Sequence, residues 1–212
     1  MVNDRLFFCE GRMSDTGEKI LLTSLDLFAR KGYGATSVSD IAGALGITKG
    51  ALYRHFASKR AIFDAILARM EQRDGEQARA HDLPEGAPEA DGPAYEAAAV
   101  ADVVAFSKTM FRYWTEDPFA APFRRMLTLE QYQDPEMGRL YQQYLAAGPL
   151  GYVADLFRAR GLSDPERRAA TFYGPMFLLY SVYDGAEDKG AVTSLLDEHL
   201  DRIQKEMEGK GK

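Results

Sequence analysis

Cysteine, histidine and long apolar runs are scarce in this chain of 212 residues. The one cysteine, Cys9, excludes an internal disulfide framework and a cysteine-rich metal site, so a reducing cytoplasm is the expected compartment. No apolar run approaches the ~20 residues of a membrane span, and the LFFC segment is too short for the core of a signal peptide. We therefore expect a soluble, cytoplasmic chain without membrane association, metal or cofactor.

The three histidines narrow the catalytic possibilities further. His55, His81 and His199 fall in separate segments, so neither a His-centred triad nor a metal cluster is predicted. The terminal GKGK lacks the strand and the glycine spacing of a phosphate loop, and the acidic residues show no spacing typical of paired catalytic carboxylates. An enzyme is not expected, although an all-helical enzyme that works through unpaired carboxylates is left open.

Charge is distributed unevenly along the chain. The formal net charge is −6, but residues 1–60 hold nine Lys and Arg against six Asp and Glu, which gives this segment +3 and the remainder −9. A mildly basic head on an acidic body is typical of a protein whose head contacts nucleic acid and whose body does not.

The alternation of apolar and polar residues that marks a strand is also missing, and helical spacing runs through most of the chain. The predicted fold class is therefore all-α, with about nine helices. Capping boxes are predicted at Asp15 with Glu18 and at Ser37 with Asp40, where the first two helices begin. Thr48 is predicted to cap a third helix that runs to about residue 55.

Two short helices joined by a turn at Gly46, with a third helix across them, form the helix-turn-helix arrangement. Its second helix enters the major groove of DNA by the N-terminal end, where small residues let the backbone approach base edges. In the segment ITKGALYRHFASK, residues 47–59, the guanidinium of Arg54 suits a guanine edge. The residues of types that commonly hold phosphate oxygens are Tyr53, His55 and Lys59.

Residues 16–67 closely resemble the DNA-binding domain of the TetR family of bacterial transcriptional repressors. The elements that carry the resemblance are Phe28, Gly32, Tyr33, the DIA segment at 40–42 and KGALYRHFASK at 49–59. The resemblance implies that Thr36 and Ser37 contact phosphate ahead of the second helix. It also implies that the floor of the groove is met by Thr48, Lys49, Gly50 and Ala51.

Three segments are predicted from these boundaries. Residues 1–13 form a flexible extension, whose first twelve residues either precede a natural start at Met13 or supply an arm to the minor groove. Residues 14–57 form the helix-turn-helix domain. Residues 58–212 form a helical body for ligand binding and dimerisation, with a mobile loop at 81–94 that is rich in proline, glycine and acids.

The body is unusually aromatic, with nine of the eleven tyrosines of the chain. Buried tyrosine hydroxyls need hydrogen-bond partners, so the pattern favours a ligand cavity with polar handles, although ordinary core packing is the alternative for each residue. The predicted lining residues are Phe106, Met110, Trp114, Phe123, Leu127, Tyr144, Tyr173 and Phe177. They include no charged anchor, which favours a largely apolar effector.

The last helix, predicted from about residue 189 to 208, carries a narrow apolar stripe. Such a stripe needs a partner helix, supplied either by the same chain or by a second copy. The resemblance implies that the last two helices of two copies form a four-helix bundle. The residues predicted at this dimer interface are Val192, Leu196, His199, Ile203 and Met207.

The sequence thus predicts a repressor that binds palindromic operator DNA as a homodimer and responds to a small-molecule effector. Two other hypotheses stay open: a helix-turn-helix protein that binds another protein, and the all-helical enzyme.

Overall fold

The computed structural model describes residues 14–80, 93, 95 and 98–209. Within these residues the regular structure is helical and contains no strand, which confirms the all-α fold class. The helices are α1 (Asp15–Lys31), α2 (Val38–Leu45), α3 (Lys49–Tyr53), α4 (Lys59–Ala80), α5 (Val100–Glu116), α6 (Ala120–Glu130), α7 (Pro135–Leu145), α8 (Ala147–Ala159), α9 (Pro165–Gly185) and α10 (Lys189–Gly209). The predicted extension at 1–13 and, except for Pro93, the predicted loop at 81–94 lie outside the described residues.

Helix α1 forms the centre of the N-terminal domain. Its cap is Ser14, one residue before the predicted Asp15, because the Ser14 Oγ accepts a hydrogen bond from the Gly17 amide at 3.1 Å. Ile20, Leu25 and Phe28 are fully buried on one side of α1. This helix packs against α2, α4 and α6, so it joins the N-terminal domain to the body.

The turn after α1 depends on a glycine and on a buried carboxylate from the body. Gly32 has φ 89° and ψ 150°, a backbone conformation that is costly for residues with a Cβ. A Cβ on Gly32 would lie 2.3 Å from the Oε1 of Glu130, and the same oxygen accepts a hydrogen bond from the Gly34 amide at 3.3 Å. Glu130 ends α6, so this contact connects the body to the turn that precedes α2.

The sequence predicts a helix that opens at Asp134 and Pro135 and reaches Arg160, with a break or kink at Gly148 and Pro149, and the structure has two helices there, α7 and α8. Ala146, with φ −127° and ψ −94°, breaks the helical backbone, two residues before the break expected at Gly148 and Pro149. A Cβ on Gly148 would lie 2.0 Å from the Gln143 carbonyl oxygen, so the close approach of the two helices requires glycine there. The carbonyl of Leu145, at the end of α7, accepts a hydrogen bond from the Tyr173 hydroxyl at 2.8 Å.

The remaining helices complete the body. Helix α9 runs through Pro175 without a break and packs against α5, α8 and α10. Helix α10 packs in turn on α5, where Lys108 and Arg112 form ion pairs with Asp201 and Asp197 at 2.5 and 2.6 Å. Residues of α4, α5, α7, α8 and α9 line one interior space.

We expect Gly32→Ala to lower the free energy of unfolding by roughly 1–3 kcal/mol, because alanine would be strained at this φ and would displace the Glu130 carboxylate. Gly43→Ala is the matched control. Gly43 lies inside α2 with open space around it, so alanine there should stabilise the protein by roughly 0.5–1 kcal/mol. Urea unfolding of both variants measures the difference, and equal stabilities would contradict the role of Gly32.

Candidate functional site

Helices α2 and α3 are positioned by short-range caps. The Ser37 Oγ accepts a hydrogen bond from the Asp40 amide at 3.1 Å and the Asp40 carboxylate accepts one from the Ser37 amide at 2.7 Å, which confirms the predicted capping box. Helix α2 ends at Gly46, and Thr48 caps α3 by accepting from the Ala51 amide at 3.1 Å. Leu52 is fully buried and anchors α3 on the domain.

The opposite side of α3 is exposed. The predicted DNA-contacting residues on this exposed side are Thr48, Lys49, Gly50, Tyr53, Arg54 and His55, with Ala51 half-buried beside them. The side chains of Lys49 and Arg54 form no ion pair or hydrogen bond with any residue in the described part of the chain. Two cations without protein partners on a helix of small residues form a surface suited to an anionic polymer.

His55 is also exposed, and its Nδ1 lies 3.4 Å from the Ser14 Oγ at the start of α1. The imidazole therefore lies where the end of α3 meets the start of α1, and its Nε2 side has no hydrogen-bond partner among the described residues.

Thr36 and Lys59, both expected at phosphates, have their polar atoms engaged within the protein. Thr36 is 1% exposed and donates its hydroxyl hydrogen to the Gly32 carbonyl at 2.8 Å. The Lys59 Nζ donates to the carbonyls of Tyr33 and Thr36 at 2.7 and 2.8 Å, and burial lowers the pKa of this ammonium. These two side chains hold the turn between α1 and α2. Ser37 is exposed, but its hydroxyl serves the α2 cap.

The interior space of the body is a cavity of about 740 Å³. Five of the eight predicted lining residues line it: Phe106, Met110, Trp114, Tyr144 and Tyr173. The broken region of α7 and α8, with Gly148 and Pro149, forms one wall. A space of this size is within the range of pockets that hold drug-sized molecules.

Three predicted lining residues lie elsewhere. Phe123 and Leu127 are fully buried on α6 and pack behind the cavity wall, where the Phe123 ring meets the Tyr144 ring at 5.4 Å. Phe177 is 40% exposed and is not one of the lining residues, although its ring lies 6.4 Å from that of Tyr173. Helical periodicity places these residues on apolar helix faces but does not show which neighbours those faces contact.

The cavity also has lining residues that the sequence pattern did not indicate. They are Asp74, Gly75, Tyr95, Val103, Ser107, Gln143, Ala147, Gly151, Tyr152, Val153, Asp155, Met176 and Tyr180. Asp74 continues the i, i+4 series of the buried residues Ile66 and Met70 along α4, so an acid in an apolar stripe was the available signal. Burial raises the pKa of the Asp74 carboxyl above its ordinary value.

The predicted interface stripe of α10 faces the interior of the chain. Val192, Leu196 and Ile203 are 7%, 0% and 8% exposed, because α5 and α9 cover this side of the helix. Met207 packs against the core, and His199 is half-buried with its Nε2 3.3 Å from the Thr171 carbonyl. The large apolar residues that remain exposed on the last two helices are Phe177, Leu178, Val182 and Leu195.

Other kinds of site were also sought in residues 14–80 and 98–209. No three His, Cys, Asp or Glu side chains in this part of the chain are grouped as metal ligands. No helix in it is both long and apolar enough to cross a bilayer.

Residues 20–66 match the family described as bacterial regulatory proteins, tetR family. Over 62 residues the chain is 40% identical to the HTH-type transcriptional regulator AcrR of Shigella flexneri, a match that covers 29% of each chain. Over 49 residues it is 49% identical to the HTH-type transcriptional repressor KstR2 of Rhodococcus jostii, covering 23% of this chain and 24% of that repressor. The matched segment thus spans less than a third of the length of these relatives.

Solved structures extend the likeness to the body. A transcriptional regulator from Aquifex aeolicus superposes with a TM-score of 0.61 at 20% identity, over 89% of this chain and 99% of that one. The fatty acid degradation regulator FadR from Bacillus halodurans superposes with a TM-score of 0.60 at 15% identity, over 92% and 97%. At these identities the likeness shows a shared fold.

We expect Lys59→Ala to lower the free energy of unfolding by about 1–3 kcal/mol, because two carbonyls of the α1–α2 turn would lose a charged donor. Lys49→Ala removes an exposed cation without partners in the described part and should change stability by less than about 0.5 kcal/mol. Denaturant unfolding of both variants checks this, and an unchanged Lys59→Ala would return Lys59 to the residues free for DNA.

Proposed function

We propose that this chain, a member of the TetR family through the sequence of its N-terminal domain and its fold, regulates transcription in the cytoplasm. It acts as a repressor that binds a palindromic operator as a homodimer and is released by a small, largely apolar molecule. The observation that carries the proposal is the exposed side of α3, with Lys49 and Arg54 unengaged by described residues on a helix positioned by caps at both turns.

DNA binding follows from how α3 is presented. A recognition helix contacts base edges with its N-terminal residues, and Gly50 and Ala51 offer little side-chain bulk there. Arg54 can form two hydrogen bonds to a guanine edge, whereas Lys49 and Tyr53 suit phosphate oxygens. The family match ends at residue 66 and includes α3 in full, which supports DNA over a protein as the partner.

A regulator is also better supported than the all-helical enzyme that the sequence left open. The matched family consists of regulatory proteins, and the relative KstR2 is named a transcriptional repressor. These names support the repressor role that we assign to this chain.

Dimerisation is supported by the exposed apolar residues of α9 and α10. Phe177, Leu178, Val182 and Leu195 are 40%, 63%, 44% and 57% exposed, and clusters of large apolar residues at a surface commonly mark an interface between chains. A symmetric dimer would present two copies of α3 to one face of a duplex, where successive major grooves are about 34–36 Å apart.

Release by an effector requires a connection between the cavity and the DNA-binding domain. Helix α6 supplies one, because Arg124 in its middle bonds the wall residue Trp114 and Glu130 at its end bonds the turn before α2. A molecule that shifts the wall would move both ends of this helix. A coupling of about 1–3 kcal/mol would change operator affinity roughly 5–150-fold.

Selection of the bound sequence from random DNA tests the DNA-binding half. On the selected operator, Arg54→Ala should cost roughly 1–3 kcal/mol and relax the preference at one base position of each half-site. Lys49→Ala should weaken binding to all sequences alike and lower the salt slope by about one unit. Equal losses on operator and random DNA would assign Arg54 to phosphate, and failure to enrich any sequence would favour the protein-binding alternative.

Substitutions at two neighbouring leucines distinguish loss of the dimer from loss of the fold. Leu195→Asp puts a charge on the exposed apolar residues and should yield folded monomers, because an interface would bury the carboxylate unpaired. Leu196→Asp should instead unfold the chain, since Leu196 is fully buried within one copy. Sedimentation at micromolar concentration and circular dichroism measure the two outcomes. A monomeric wild type, or a dimeric Leu195→Asp variant, would contradict the proposed interface.

A further inference from the structure

The charged residues of the cavity are all of one sign. Its lining includes two side chains that carry formal charge, Asp74 and Asp155, and no Lys, Arg or His among the described lining residues. Asp155 forms a direct ion pair with Arg158, which also pairs with Glu166. Asp74 is therefore the unbalanced charge of the lining.

Two cationic side chains that precede Asp74 in α4 or adjoin it are directed at other partners. The Arg73 guanidinium bonds Asp117 at 2.6 Å and lies over the Phe119 ring, and Arg69 bonds Glu18 at 2.5 Å. The Asp74 carboxylate forms no hydrogen bond or ion pair with any described residue. Burial raises the pKa of its carboxyl, and no neighbouring cation offsets that effect. A half-buried carboxylate of this kind costs stability unless something else pairs with it.

Aromatic rings surround the same space. The rings of Trp114 and Tyr144 meet at 61° with centroids 6.2 Å apart, and those of Tyr95 and Tyr152 meet at 65° and 5.8 Å. All four residues line the cavity, and the face of an aromatic ring attracts a cation that lies within about 6 Å of its centre. Burial raises the pKa of the Tyr144 and Tyr152 hydroxyls, so these rings stay neutral and add no further acid.

We propose that the cavity binds an organic cation, with one positive charge on a largely apolar, ring-containing body, and that Asp74 is its counter-ion. The inference rests on the proposed effector site and names the chemical class of its ligand. An anion would face the Asp74 carboxylate without a compensating cation from the lining. A metal ion would need several oxygen ligands, and no group of three acidic or histidine side chains exists among the described residues. A neutral ligand would leave Asp74 without an ionic partner.

Three probes of similar shape separate the classes. They are tetraphenylphosphonium, which is cationic, tetraphenylborate, which is anionic, and triphenylphosphine oxide, which is neutral. Trp114 lines the cavity and is the one tryptophan of the chain, so its fluorescence reports occupancy and calorimetry confirms the affinity. Wild-type protein should bind tetraphenylphosphonium at least about tenfold more tightly than either other probe, a difference of ~1.4 kcal/mol.

Asp74→Asn keeps the shape of the side chain and removes its charge. This variant should lose at least about tenfold in tetraphenylphosphonium affinity, while its affinity for triphenylphosphine oxide stays within about threefold of wild type. Asp155→Asn is the matched control, because Asp155 already forms an ion pair with Arg158. The Asp155→Asn variant should bind all three probes nearly as wild type does. Asp74→Glu retains the charge and should retain preference for the cation.

Loss of folding would not explain weaker probe binding by Asp74→Asn. This variant removes a half-buried acid without a partner among the described residues, so it should melt at or above the wild-type temperature at neutral pH. The inference is overturned if wild-type protein does not bind tetraphenylphosphonium or binds it no more tightly than the phosphine oxide. It is overturned equally if Asp74→Asn binds the cation as wild type does, or if Asp155→Asn loses as much affinity.

Operator release is measured separately with the selected DNA. Cation binding that depends on Asp74 but leaves operator affinity unchanged would remove the effector response from the proposed function and leave this inference standing. Operator release by triphenylphosphine oxide, without tighter binding of the cation, would overturn this inference and leave the effector response of the proposed function standing.

Discussion

The buried guanidinium of Arg124 holds the body together where three helices meet. Arg124 is 3% exposed; its Nε donates to the Trp114 carbonyl of α5 at 2.9 Å, and its Nη2 donates to Asp184 of α9 at 2.8 Å. Its charge also lies 5.3 Å from the centre of the Tyr180 ring. Burial opposes ionisation of Asp184, but the bonds and charges of Arg124 and Arg125 outweigh it, so the Asp184 pKa lies below its ordinary value. A buried cation is tolerated only with such partners, so the positions of α5, α6 and α9 depend on one another.

The same helix that carries Arg124 reaches the N-terminal domain. From Arg124 to Glu130, about 9 Å of helix, α6 runs from the bond to the Trp114 carbonyl to the α1–α2 turn. Lys59 of α4 holds the same turn through its carbonyls, and the Glu130 carboxylate favours the charged form of Lys59. The turn that leads into α2 is thus fixed by two side chains of opposite charge, one from α4 and one from α6. Arg60 and Glu136 add a bidentate ion pair at 2.5 and 2.8 Å between α4 and α7.

The N-terminal helices were predictable from the sequence because short-range interactions define them. The Ser37–Asp40 capping box and the Thr48 cap join atoms within three residues of each other, so the residue types and their spacing suffice to predict them. The start of α1 differs by one residue, since Ser14 competes with Asp15 for the same cap. The split between α7 and α8 was indicated by Gly148 and Pro149, but its position at Ala146 depends on how closely the two helices approach.

By itself the sequence determined the all-α class, the helix-turn-helix unit and an aromatic body, since all three follow from local spacing and composition. Only the tertiary structure decided that Leu196 faces inward and Leu195 outward, that Lys59 holds a turn, and that Asp74 lines the cavity without a side-chain partner among the described residues. Helical periodicity shows which residues share a face, but not which of several faces the neighbouring helices cover. A cavity is space that side chains from distant segments leave unfilled, and no local pattern of residues encodes it.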